Sequence, residues 1–184
     1  IAHFLDPLSD ALNLARTAEK NAKQVPGKNA LGIIVDKRSG APRSIQGKFA
    51  SGDGSASVID YLRQLIAYDA AGDVSRQAAY ELRDLSLRLE VFGDKPDAGE
   101  ISESKAKLNQ IKHKEAIRIL NRKLSTHAAE SSQTDFSILF EMLGSVDGIR
   151  RLSDDLIVAK IFGEAEAMAI GGTKNKEETN EQKQ

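Results

Sequence analysis

The sequence predicts a mainly α fold: a bundle of about six helices with one short β-hairpin or extended arm near residues 30–50. Three observations carry that expectation. Apolar residues recur at helical spacing through most of the chain, and glycines punctuate the periodic stretches. Only residues 28–54 replace the helical period with short β-branched or alternating runs.

The first helix is expected over about 7–24. Asp6 is a natural N-cap and Pro7 suits the first helical position, where its missing N–H costs nothing. Leu5, Leu8, Leu12, Ala15 and Ala22 give the apolar stripe, and Val25-Pro26-Gly27 stops the run. Ala30–Val35 and Arg43–Phe49 then read as hairpin arms of about seven residues, with Ile45, Gly47 and Phe49 on one side. A lone two-stranded hairpin is marginal in water, so this one must pack on helices or on a partner.

Beyond Gly52-Asp53-Gly54, Ser57 with Asp60 resembles a capping box opening a helix that ends at Gly72. Asp73 is expected to cap the next helix, Val74 to Val91, and the short connection predicts an antiparallel pair. The polar stretch 93–103 is the best internal boundary. A long helix is expected over 104–126, and a short apolar one over Asp135–Leu143, capped by Ser132 or Thr134. A last helix over 147–170 carries a second available cap at Ser153-Asp154-Asp155 and ends at Gly171-Gly172. Residues 1–172 thus form one expected helical domain, and 173–184 a polar tail that lacks the apolar surface to fold alone.

With 184 residues the chain is long enough for a real core without cross-links. Twenty-six Lys and Arg face 27 Asp and Glu, which excludes a protein that coats nucleic acid by bulk positive charge. Cysteine is absent, and His3, His113 and His127 have no metal-ligand spacing, so neither a metal nor another cofactor is expected. No Gly-rich phosphate loop and no Gly-x-Ser-x-Gly elbow occurs. Asp154-Asp155 and Glu164/Glu166 read as a helix first turn and a solvated face, since neighbouring carboxylates do not face each other on a helix. No catalytic residue is therefore assigned. No apolar stretch approaches the ~20 residues of a membrane span. A soluble chain is expected, and the composition names no compartment.

Two sets of residues point to binding. From Lys105 to Lys123 there are seven Lys or Arg against the single acid Glu115. Lys107, Lys114, Arg118 and Arg122 fall within an arc of about 80°, a stripe ~22 Å long. Such a stripe suits the backbone of DNA or RNA, helped by Lys37, Arg38, Arg43 and Lys48 on the hairpin. The competing reading is a charged face paired with the acids of residues 51–100. Aromatic interleaving, which single-strand binders use for stacking, is missing near the long helix.

The second set is apolar. Phe136, Leu139, Phe140, Leu143, Ile157, Ile161 and Phe162 belong to a stretch so dense in apolar residues that its helices need cover on most sides. That cover comes from the chain's own core or from another chain. The expected function is accordingly a non-catalytic assembly or adaptor subunit. It would bind a partner protein or copies of itself through these helices, and through the 28–54 arm. Nucleic-acid binding is the alternative, and a small enzyme whose residues converge only in three dimensions is the third.

Overall fold

The computed structural model describes residues 6–37, 41–49, 57–90, 101–124, 135–143 and 146–181, with stretches 89–90, 101–106 and 170–181 and residue 146 described by backbone alone. Six helices and one antiparallel hairpin make up these residues. They run α1 (Leu8–Gln24), β1 (Ala30–Val35), β2 (Arg43–Lys48), α2 (Val58–Ala71), α3 (Gln77–Glu90), α4 (Ile101–Lys123), α5 (Ser137–Met142) and α6 (Val146–Glu181).

The organising element is α6. Its buried positions Gly148, Ile149, Leu152, Ser153, Asp155, Val158 and Ala159 wrap about 220° of its circumference. Helices α2 and α3, the short α5, α4 and strand β2 all pack on it. Leu65 of α2, Leu82 of α3, Leu120 of α4, Leu139 of α5 and Leu152 of α6 are all fully buried, so five helices share one core. The chain itself covers Leu139, Leu143, Ile149, Leu152 and Val158 of the apolar C-terminal third.

The hairpin forms a layer of its own between α1 and that core. Leu31, Ile33 and Val35 of β1, with Ile45 of β2, face the core. Register pairs Ile33 with Ile45 and Gly32 with Gln46. The opposite face meets α1, where a Cβ on Gly32 would fall well inside contact distance of the Ala18 carbonyl oxygen. Glycine is what lets the helix lie this close to the strand.

Several boundaries differ from the expectation. Pro7, not Asp6, holds the N-cap position of α1, without a side-chain cap, and no residue of α1 is buried. Leu8 and Leu12 are left exposed, because the helix rests on the sheet through Ala18 and Ala22 instead. The hairpin arms are six residues long, and Phe49 lies outside them, half exposed. The Ser57 cap is present: its hydroxyl accepts from the Asp60 N–H at 3.1 Å and donates to the Asp60 carboxylate at 2.7 Å. Gly72 closes α2 in the left-handed conformation, φ 72°.

Helix α3 starts at Gln77, because Val74 and Ser75 are drawn away: Val74 bridges to Leu124, and the Ser75 N–H donates to the Lys123 carbonyl at 2.9 Å. Consequently α2 and α3 lie against α6 and not along each other. Helix α4 begins at Ile101, ahead of the expected start; residues 125 and 126 lie outside the described ones. Ser132, Thr134 and most of the 93–103 boundary lie outside them too. Asp135, with its carboxylate accepting the Ser137 N–H at 2.8 Å, precedes α5. Helix α6 is continuous through Ser153–Asp155 and through Gly171-Gly172 to Glu181. Two glycines cost a helix only about 1 kcal/mol each, and the following Lys and Glu residues propagate it.

Candidate functional site

The strongest candidate site is a cleft of about 610 Å³ that follows the free edge of β2. Its geometry begins with the hairpin register. The Phe49 N–H donates to the Asn29 carbonyl at 2.8 Å, which makes that pair a hydrogen-bonded one. Bonded and non-bonded pairs alternate in an antiparallel ladder. Arg43, Ile45 and Gly47 therefore turn their backbone groups toward β1, and Ser44, Gln46 and Lys48 turn theirs outward. The sheet has two strands in the order β1-β2, so β2 is an edge. Among the described residues no backbone group pairs with its outward side.

The cleft lies along this edge and has two walls. On the α1 side stand Asn21 and Gln24, next to the Ser44, Gln46 and Lys48 side chains. On the α6 side stand Ser57, Val58 and Tyr61 of α2's first turns, Ile138 and Met142 of α5, and Arg150, Arg151, Asp154 and Asp155 of α6. The volume falls in the range of pockets that hold small ligands or a short stretch of peptide.

Two carboxylates organise the α6 wall. Asp154 accepts from Arg43 of β2 and from Arg83 of α3, each at 3.2 Å. One carboxylate thus ties the strand, α3 and α6 together. Burial pushes its carboxyl up, and the Arg83 and Arg150 charges pull it back. Asp155 is 5% exposed and accepts from the Tyr61 hydroxyl at 3.0 Å. Burial pushes its carboxyl up to about 7, against the Tyr61 hydrogen bond and the Arg151 charge. The Tyr61 hydroxyl is pushed up as well, by its own burial first and by the Asp155 charge second. A carboxyl that titrates near neutrality suits proton transfer. The Ser57 hydroxyl, which also lines this wall, spends its contacts on the α2 cap.

The residues expected to bind nucleic acid are dispersed. Arg43 is turned inward onto Asp154, Lys48 lines the cleft, Lys37 is exposed, and Arg38 lies outside the described residues. On α4, Lys107, Lys114, Arg118 and Arg122 are all exposed. Arg118 makes a two-point contact with Glu115 at 2.6 and 2.8 Å. Arg122 pairs with Glu81 of α3, which also takes Lys123 at 2.9 Å. Both acids are held below the usual carboxylate range by these partners. The C-terminal half of the stripe is thus matched by acids, one of them from residues 51–100. His113 sets its Nδ1 at 2.9 Å from the Leu143 carbonyl oxygen, a tie between α4 and the end of α5. His3 and His127 lie outside the described residues, among which no cluster of metal-ligating side chains occurs.

The apolar set also divides. Leu139 and Leu143 are covered by the chain's own packing, at 0% and 1% exposure, and offer no surface to a partner. Phe136 and Phe140 are half-buried against the core, with the Phe136 ring 5.2 Å from that of Tyr68. Ile157 and Ile161 are half-buried on α6, and Phe162 is 38% exposed. Among the described residues no helix is long and apolar enough to cross a membrane.

Sequence reasoning missed Ser44, Gln46, Tyr61, Arg151, Asp154 and Asp155 as members of one site. The available signal was the pair Asp154-Asp155 in an otherwise apolar run, read instead as a helix start. Neither a protein family, nor a curated protein, nor a solved structure matches the chain.

Proposed function

We propose that this chain is a non-catalytic adaptor that binds a partner protein by taking an extended segment of it as a third strand against β2. One observation carries the reading: the outward backbone groups of Ser44, Gln46 and Lys48 line a cleft walled on both sides by side chains. Strand addition draws affinity from main-chain hydrogen bonds and specificity from pockets for alternate side chains. Val58, Ile138 and Met142 form an apolar lining on one wall, and Asn21 and Gln24 a polar one on the other. Open edges invite pairing, and natural proteins cover or blunt the ones they do not use.

A proline at position 46 tests this. Gln46 belongs to a pair that makes no ladder bonds, so Gln46→Pro deletes an outward N–H and leaves the β1–β2 bonds in place. The expected result is binding of a capped, strand-forming peptide that the variant weakens about tenfold or more, with thermal stability nearly unchanged. Equal binding by the variant overturns the reading. A concentration-dependent dimer that the same variant abolishes overturns it in favour of a second copy at the edge.

A further inference from the structure

Resting on that strand-addition reading, we propose that the segment seated against β2 is acidic, with acidic side chains alternating with aliphatic ones. The carboxylates of the cleft are already engaged. Asp154 is shared by Arg43 and Arg83, and Asp155 is buried under the Tyr61 hydroxyl. Neither is open to a cation on an incoming strand. Lys48 and Arg151, two cations of the cleft, make no salt bridge among the described residues. Among those residues the Lys48 ammonium reaches a neutral carbonyl, that of Lys28 at 3.4 Å, and no carboxylate. Arg151 is exposed on the surface of α6, and its charge acts on the buried Asp155 carboxyl without a salt bridge.

These cations stand on opposite walls. Arg43 and Ile45 turn their side chains to α6 and the core, and a Cβ on Gly47 would meet Val58 of α2, so Lys48 belongs to the α1 face, where its ammonium lies beside Gly27. Arg151 belongs to the α6 wall. Successive side chains of an added strand point alternately to the two walls, so an acid of either parity meets a cation. The uncharged Asn21, Gln24, Ser44 and Gln46 donate hydrogen bonds without repelling a carboxylate, and the Val58–Ile138–Met142 lining calls for an aliphatic partner.

The same charges argue against a second copy of this chain. Strand β2 reads Arg-Ser-Ile-Gln-Gly-Lys, basic at both ends and without an acid, so two β2 edges would bring like charges together.

Fluorescence anisotropy with short capped peptides alternating Glu and Val, their Gln/Val counterparts, and a Glu/Val peptide interrupted by proline tests the proposal. The Glu/Val peptide is expected to bind about tenfold more tightly than Gln/Val, which is ~1.4 kcal/mol. Its affinity should fall with salt, and Lys48→Gln, on the wall that takes the acids when the aliphatic residues face Val58, Ile138 and Met142, should shrink the difference more than Arg151→Gln. Equal, salt-independent binding of both uninterrupted peptides overturns the acidic preference and leaves strand addition standing. Failure of both to bind more tightly than the proline-interrupted control overturns strand addition itself, and this inference with it.

Discussion

Asp155 is the residue at which burial and charge meet most directly. Its carboxyl titrates at about 7 in the folded chain, against about 4 for an ordinary aspartate. The folded state therefore holds a proton that the unfolded state releases across that interval. Stability from this group is full below pH ~4 and is lost as pH rises through about 7, a loss on the order of 2–4 kcal/mol. Asp155→Asn keeps an acceptor for the Tyr61 hydroxyl and removes the ionisation. Urea unfolding should find the variant close to the parent at pH 4 and clearly more stable at pH 8. Parallel pH profiles for the two would contradict this account of Asp155. The sequence shows two adjacent acids, and nothing local distinguishes a buried pair from a helix cap. Their partners Tyr61, Arg43 and Arg83 are far away in the chain, with Tyr61 94 positions removed.

At the scale of elements, the hairpin depends on α1 as much as on the core. A methyl group on Gly32 would meet the Ala18 carbonyl, a backbone atom that cannot turn aside. Gly32→Ala is expected to cost about 1–3 kcal/mol and to loosen α1 from the sheet, read as a lower Tm and faster amide exchange in α1. Unchanged stability would show that α1 yields freely. Local signals predicted much here: the Ser57–Asp60 cap, Gly72 as the helix stop, and two short strands between α1 and α2. The exposed Leu8 and Leu12 were not predicted, because helical periodicity shows that a face is apolar and not whether it meets a flat sheet or solvent. The start of α3 was missed for a related reason. Val74 and Ser75 bond to the end of α4, a tertiary contact that overrides local preference.

For the whole molecule, the decisive feature is one long helix whose first half is packed on by the rest of the described chain over residues 148–159. The apolar density of residues 136–162 was legible. Its consequence was not, since one central helix inside its own bundle and one helix covered by another subunit have the same composition. With the first half of α6 packed on, Leu139 and Leu143 belong to the core, and the recognition surface we propose lies at the hairpin. The paired arginines of α4 fit that placement, because Glu115 and Glu81 already meet the charges of Arg118 and Arg122. Amide hydrogen exchange, residue by residue, with and without a saturating Glu/Val peptide, tests the central claim most directly. Ile45, Gly47 and Phe49 should be protected in both states, and Gln46 and Lys48 should gain protection only with the peptide. Protection that appears elsewhere while Gln46 and Lys48 stay unchanged would contradict the assignment of this edge as the binding site.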